Sequence, residues 1–281
     1  MSYYESDASI LAVENLSVQY DGKKIIQNIN FEERDVIRSG RIQGQTIAFV
    51  GRSGRGKSTL FRSLAGLERP TSGRILISDI KKQSGTEHPP FKEVEEGDVG
   101  FVNQNYMLFR HKTIYQAMEF AMRKIDKPSA EKQTIITTHL KDWGLEDVKN
   151  QYPNELSGGQ RQRTAILEQV LSSTNYIILD EPFSGLDVGN IQNVKSAFKL
   201  INRTHELNTI IFCTHDIELA VSMADSIYVI GYPTMENGRL ETIGTLIRKY
   251  DLKSKGLAWR DDYSSEHHDL VEKIKVDILN S

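Results

Sequence analysis

Cysteine is nearly missing from this chain: Cys213 stands alone among 281 residues, which excludes an internal disulfide and a thiolate zinc site. It lies in the apolar run Ile210-Ile211-Phe212-Cys213 and reads as a core thiol. Long apolar runs are missing too. Nothing approaches the roughly 18 uninterrupted apolar residues of a membrane-crossing helix, so membrane attachment is expected only through a partner. Positive charge is not in excess either. With 35 Lys and Arg against 38 Asp and Glu the formal charge is -3, and nucleic acid held by counterion release is not expected. The opening Met1-Ser2-Tyr3-Tyr4-Glu5-Ser6-Asp7 has neither the basic start nor the apolar stretch of a secretory leader. Low-complexity blocks are absent, and 38% hydrophobic with 26% charged residues is the balance of a chain that folds around a core.

What is present is organised. Leu11 to Tyr20 and Ile25 to Phe31 read as strands joined by the turn dipeptide Asp21-Gly22, an antiparallel hairpin. A polar segment from Glu32 to Gln45 leads to Thr46-Ile47-Ala48-Phe49-Val50, a short apolar run of the kind buried on both faces of a parallel sheet. Leu60, Leu64 and Leu67 then recur at helical spacing until Pro70 and Gly73. Residues 81–97 carry strong breakers and read as an exposed insertion. From about 112 to 172 the pattern is helical throughout. Strands return at Tyr176 to Leu179, Thr209 to Cys213 and Ser226 to Ile230, alternating with helical stretches near 188–203 and 216–224, which predicts a parallel sheet wrapped by helices. After about 254, Ser264-Ser265 precedes Leu270, Val271, Ile274 and Ile278, the spacing of one capped amphipathic helix.

Gly51-Arg52-Ser53-Gly54-Arg55-Gly56-Lys57-Ser58, followed by Thr59, fits the phosphate-loop pattern G-x-x-x-x-G-K-[ST] without a mismatch, after a strand and before a helix. The residue types match the chemistry. Glycines let backbone N–H groups wrap phosphates, a helix N-terminus adds positive potential, Lys57 suits terminal phosphates and the Ser58 hydroxyl suits magnesium. A chance glycine turn also fits the bare pattern, and the flanking strand and helix argue against it. Tyr176-Ile177-Ile178-Leu179-Asp180-Glu181 is an apolar strand ending in two acids at the sheet edge where ligands of open α/β folds sit. Asp180 suits a magnesium site, and Glu181 suits orienting and deprotonating an attacking water.

Leu156-Ser157-Gly158-Gly159-Gln160-Arg161-Gln162-Arg163 resembles the signature sequence of ATP-binding cassette (ABC) transporter ATPases, and further family elements follow in order from about 10 to 250. The resemblance implies an α/β fold: a P-loop NTPase (RecA-like) core with a mainly parallel sheet, an N-terminal antiparallel β subdomain and an inserted α-helical subdomain at about 105–160. The cassette would span 1–253 and a helical tail 254–281. It implies ATP and Mg2+ as ligands, Tyr20 stacking on adenine, and Gln104 linking the magnesium site to the helical subdomain. Ser184-Gly185-Leu186-Asp187 would cross a dimer seam, and His215 would face the terminal phosphate. Ser157, Gly158, Gly159 and Gln160 would meet the nucleotide held by a second copy, so the chain is expected to work as a homodimer. Asn105-Tyr106-Met107-Leu108-Phe109 resembles the region that touches transmembrane permease subunits, which would hold the chain at the cytoplasmic face of the membrane.

The region from Leu108 to Ile114 resembles that of nutrient-importer cassettes and points to ATP-driven import; the alternative is a soluble cassette ATPase of translation or DNA repair. Such proteins usually carry two cassettes or a long coiled-coil insertion, and neither is present. The chain departs from the family pattern in the longer stretches at about 32–45 and 81–97 and in one helix. Thr164-Ala165-Ile166-Leu167-Glu168-Gln169-Val170 lacks the usual Ala-Arg-Ala-Leu run.

Overall fold

A computed structural model of the chain describes residues 5–37, 44–79, 90–172, 175–185, 188–204, 208–234, 240–260 and 263–281. The chain begins with a long antiparallel hairpin, β1 (Glu5–Tyr20) and β2 (Lys23–Ile37), whose turn holds Asp21 and Gly22 at φ of 48° and 78°. After β3 (Gln45–Val50) and α1 (Lys57–Leu64), β4 (Ser72–Ser78) and β5 (Phe91–Glu93) return to the hairpin and complete a four-stranded antiparallel sheet in the order β2-β1-β4-β5. β6 (Val99–Val102) enters the second sheet. Three helices, α2 (Ile114–Ala121), α3 (Ser129–Asp142) and α4 (Gly158–Leu171), are inserted before β7 (Tyr176–Leu179). The remainder alternates: α5 (Val188–Thr204), β8 (Thr209–Thr214), α6 (Ile217–Met223), β9 (Ser226–Gly231), β10 (Thr245–Asp251) and α7 (Ser265–Leu279). The second sheet has the order β10-β9-β3-β8-β7-β6, parallel except for β10.

The second sheet is a wall between two cores, and its pleat decides which residue serves which. Ala48 and Val50 of β3, Ile177 and Leu179 of β7, and Ile210 and Phe212 of β8 face the core shared with α2, α4, α5, α6 and α7. Ile47 and Phe49, Tyr176 and Ile178, and Ile211 and Cys213 face the core shared with α1 and the antiparallel sheet. Successive side chains leave a strand on opposite sides, so strands buried on both sides must be apolar throughout. That is why β3, β7 and β8 read as unbroken apolar runs. In the second core, Phe49 stacks edge-on against Phe61 at 5.4 Å and lies against Tyr228 at 5.1 Å, locking α1 and β9 to the central strand.

Several expectations need correction. The segment from Glu32 is not a polar loop: β2 runs on to Ile37, with Glu33 fully inside the protein. Residues 80–89 lie outside the described residues, but Phe91–Glu93 is an edge strand on β4 rather than insertion. The helical pattern from 112 to 172 is broken by 3-10 turns at Met122–Lys124, Glu146–Val148 and Pro153–Glu155. α1 ends at Leu64, because Gly66 turns left-handed at φ 70° and leaves Leu67 exposed. β4, β6 and β10 were not foreseen.

Glu33 explains how the antiparallel sheet is tied to the parallel one. Its carboxylate takes hydrogen bonds from Tyr228 Oη at 2.6 Å and Ser226 Oγ at 3.3 Å, and pairs with Lys249 Nζ at 2.8 Å and Lys253 Nζ at 3.5 Å. Burial pushes the carboxyl pKa up, but Lys253, Lys249 and the hydrogen bonds outweigh it and hold it below the ordinary 4.5. Glu33→Ala leaves the mostly buried Lys253 ammonium and the Tyr228 hydroxyl without their carboxylate, and we expect a loss of about 3 kcal/mol in denaturant unfolding near neutral pH. The sign of the pH dependence follows from the lowered pKa. Glu33's contribution is present above the unfolded value of 4.5 and is lost as pH falls through the lower folded value, a component the alanine variant lacks.

Candidate nucleotide-binding site

Parallel strands end at one edge of the sheet, and the loops that follow β3, β6, β7 and β8 gather there. They enclose a cavity of about 510 Å³ lined by Ser53, Gly54, Gly56, Lys57, Ser58, Thr59, Gln104, Asp180, Glu181, Ser184 and His215, with Ile25 from the hairpin. Four sequence-predicted stretches thus meet in one place.

The loop after β3 depends on its glycines. Gly51, at φ 157°, lies so close to β9 that an added Cβ would sit 2.2 Å from the Ile230 carbonyl oxygen. Gly56, at φ 89°, caps α1 where a Cβ would meet Ile26 Cγ2 at 2.3 Å. The chain therefore wraps tightly into the N-terminus of α1, an anion-attracting arrangement. Lys57 Nζ donates to the Gly51 and Arg52 carbonyls at 2.8 and 3.1 Å, which holds the buried ammonium across the loop. Arg52 points to solvent. Arg55 turns away from the cavity, its guanidinium 3.7 Å from the Tyr232 ring centroid and its Nη2 donating to the Ser281 carbonyl at 3.3 Å.

At the end of β7, Asp180 N donates to the Val102 carbonyl at 2.9 Å, fixing the acid beside β6. Its Oδ1 accepts from Cys213 Sγ at 2.8 Å. Glu181 adopts φ 50°, uncommon for a residue with a Cβ, and its Oε2 lies 3.1 Å from His215 Nδ1. The histidine ring is 70% exposed and the glutamate only 18%, so the pair spans the rim and wall of the cavity. Gln104 Nε2 donates to Ser184 Oγ at 3.3 Å. The donors around the cavity suit magnesium. Among the described residues no cluster of three or more metal-ligating His, Cys, Asp or Glu exists, and Asp180 with the Ser58 hydroxyl is the sparse, hard-oxygen set of a cation held mainly by phosphates and water.

Two expected groups lie away from this cavity. Ser157 caps α4, its Oγ accepting from Gln160 N at 3.3 Å while Gln160 Oε1 accepts from Ser157 N at 2.9 Å; Ser157 and Gly158 are exposed, Gly159 is buried, and none of the four lines the cavity. Tyr20 is 43% exposed, and its hydroxyl pKa is raised by burial and by hydrogen bonding to Glu68, with Thr59 bonding in the opposite sense. Leu186 and Asp187 lie outside the described residues. The sequence reading missed Ile25, the Arg55–Tyr232 stack and the Cys213–Asp180 bond. The last was accessible in principle: once β7 and β8 are placed side by side and parallel, Cys213 falls opposite Asp180.

The parallel sheet, the glycine loop leading into a helix and the two acids ending β7 define the phosphate-loop class of α/β folds. Residues 40–184 match the family model of the ABC transporter. Over 86% of its length the chain is 34% identical to the sulfate/thiosulfate import ATP-binding protein CysA of Synechocystis sp., covering 62% of that protein. It is 32% identical over 86% to the spermidine/putrescine import ATP-binding protein PotA of Marinobacter nauticus, covering 60% of it. The chain therefore spans about 60% of the length of these curated relatives. Among solved structures, CbiO1 of Clostridium perfringens, part of the ABC transporter complex CbiONQ, superimposes with a TM-score of 0.69 at 25% identity over 96% of both chains. The chain belongs to the ABC transporter ATP-binding family.

The glycines give a graded test of the loop. Gly51→Ala presses a Cβ into a backbone oxygen that has no room to yield and should cost about 3 kcal/mol. Gly54→Ala, at φ 80° with nothing within 4 Å, should cost only the left-handed penalty, about 1 kcal/mol. Equal losses in denaturant unfolding would mean that the close approach to β9 is not what Gly51 serves.

Proposed function

We propose that the chain binds Mg-ATP in this cavity and hydrolyses it to ADP and phosphate, driving import across a membrane through partner permease subunits. The observation that carries this reading is the convergence of Lys57, Ser58, Gln104, Asp180, Glu181 and His215 on one cavity from four separated loops. The loop from Gly51 to Thr59 wraps the phosphates with backbone N–H groups and the Lys57 ammonium, and the exposed Tyr20 ring supports the adenine. When bound, magnesium neutralises phosphate charge, held by Ser58 and Asp180 with Gln104 beside them. Glu181 accepts the proton of the attacking water, and His215, bonded to that carboxylate, orients it and faces the terminal phosphate.

Ser157 and the glycines after it head α4 but stand outside their own chain's cavity, which supports completion of each site by a second copy. In that homodimer Asp187 would lie at the seam. The cassette would extend to about residue 253, with its helical subdomain at about 105–160 and the helix-bearing tail after it. Met107, 80% exposed, and Phe109 offer an apolar surface beside Gln104 for a permease helix, which would place the chain at the inner face of the membrane. Among the described residues no helix is long and apolar enough to cross a membrane. Import follows the two relatives, which are named for import of sulfate/thiosulfate and of spermidine/putrescine.

Phosphate release by the purified chain tests this directly. Glu181→Gln should keep ATP affinity, lose turnover by about a hundredfold or more, and accumulate as an ATP-bound dimer in size-exclusion chromatography. Turnover equal to the parent's would remove Glu181 from the reaction. Lys57→Ala acts one step earlier and should weaken nucleotide binding itself by about tenfold to a hundredfold in a fluorescence titration, the range for losing a hydrogen bond to a charged group. Parent-like affinity would move the phosphate site away from this loop.

A further inference from the structure

Cys213 was read as a bland core thiol, and its surroundings make that description incomplete. β7 and β8 run parallel with Leu179 opposite Phe212, so Asp180 and Cys213 are the next pair along and leave their strands on the same side of the sheet. Cys213 Sγ lies 2.8 Å from Asp180 Oδ1, and the Glu181 backbone also hydrogen-bonds to the sulfur. One buried atom therefore bonds to the Asp180 carboxylate and to the backbone of Glu181. An ionised carboxylate can only accept a hydrogen bond, so in this 2.8 Å contact the sulfur is the donor.

We propose that Cys213 is a positioning residue: its S–H donates to Asp180 Oδ1, fixing the carboxylate rotamer so that the second oxygen, Oδ2, is presented to the magnesium of the bound nucleotide. The inference rests on the Mg-ATP reading above and extends it to a residue that touches neither ligand. An aspartate χ2 torsion is broad and roughly two-fold, so a carboxylate at a strand end has no preferred facing unless something holds one oxygen. A valine here would fill the same space in the strand and leave both oxygens equivalent. The thiol breaks that symmetry from the core side, where water does not compete.

The chain's single cysteine makes the test clean, because its S–H stretching band in the infrared has one source. In the parent the band should lie at the low wavenumber of a strongly hydrogen-bonded thiol, and Asp180→Ala should move it up to that of a free one; an unmoved band overturns the proposal. The functional arm compares Cys213→Val with Cys213→Ser, which keeps a donor, by titrating ATP with and without magnesium. All three proteins should bind metal-free ATP alike, which checks folding. The valine variant should need about tenfold more magnesium to reach the parent's affinity, while serine stays close to the parent. Identical magnesium dependence in all three, or an equal loss in serine and valine, overturns the positioning role. Absence of any magnesium effect in the parent overturns the Mg-ATP reading itself, a result distinct from either.

Discussion

Parallel strand order is the constraint on which the rest of this molecule depends. Because β3, β8, β7 and β6 run the same way, every loop leaving their carboxyl ends emerges on one edge. Residues separated by more than a hundred positions thereby become neighbours: Lys57 follows β3, Gln104 follows β6, Asp180 and Glu181 follow β7, and His215 follows β8. The cost is that each strand is buried on both sides and must be apolar without interruption. The polar residues of the site can therefore appear only beyond the point where a strand runs out of core, and Asp180 and His215 stand at the first such positions.

One backbone acceptor ties the segment inserted between β6 and β7 to that edge. The Pro182 carbonyl, next to Glu181, takes a hydrogen bond from Tyr106 Oη at 3.2 Å and another from Gln162 Nε2. Tyr106 belongs to the segment after β6 that carries the exposed Met107, and Gln162 lies on α4 just after the Ser157 cap. Burial pushes the Tyr106 pKa up to about 12, so the phenol stays a donor throughout the ordinary pH range. The acidic end of β7, the apolar surface of the inserted segment and the capped head of α4 thus share one backbone oxygen. Any displacement of the chain after Glu181 has to strain or break both bonds.

The legible parts of the sequence were those where one chain segment decides its own state. The phosphate loop carries its glycines, lysine and serine contiguously; β3, β7, β8 and β9 announce themselves by apolar continuity; the hairpin turn is set by Asp21-Gly22. What escaped depended on partners far away in sequence. β10, Thr245–Asp251, is half-buried or exposed at every position but Tyr250 and is a strand because β9 is beside it. Glu33 reads as a loop residue until Lys249 and Lys253, more than 200 positions later, are seen to neutralise it. Cys213 looks inert until the register of β7 against β8 puts Asp180 at its side.

One local irregularity shows why a strand can end in two acids that both serve the same cavity. On β7, Tyr176 and Ile178 face one core while Ile177 and Leu179 face the other, and continued alternation would send Asp180 and Glu181 to opposite sides of the sheet. Both nevertheless line the cavity. The break occurs at Glu181 itself, whose φ of 50° ends the extended run and swings its carboxylate toward His215. A left-handed residue with a Cβ costs about 1–2 kcal/mol, and it persists only where its surroundings over-determine it. Here they do: Asp180 N is held by Val102 ahead of it, Ser184 N returns to the Glu181 carbonyl at 3.1 Å, and Pro182 is bound from two sides. A glycine would adopt this backbone with less strain, but it could not carry a carboxylate. The strain is the consequence of asking one position to turn the chain and to present a carboxylate.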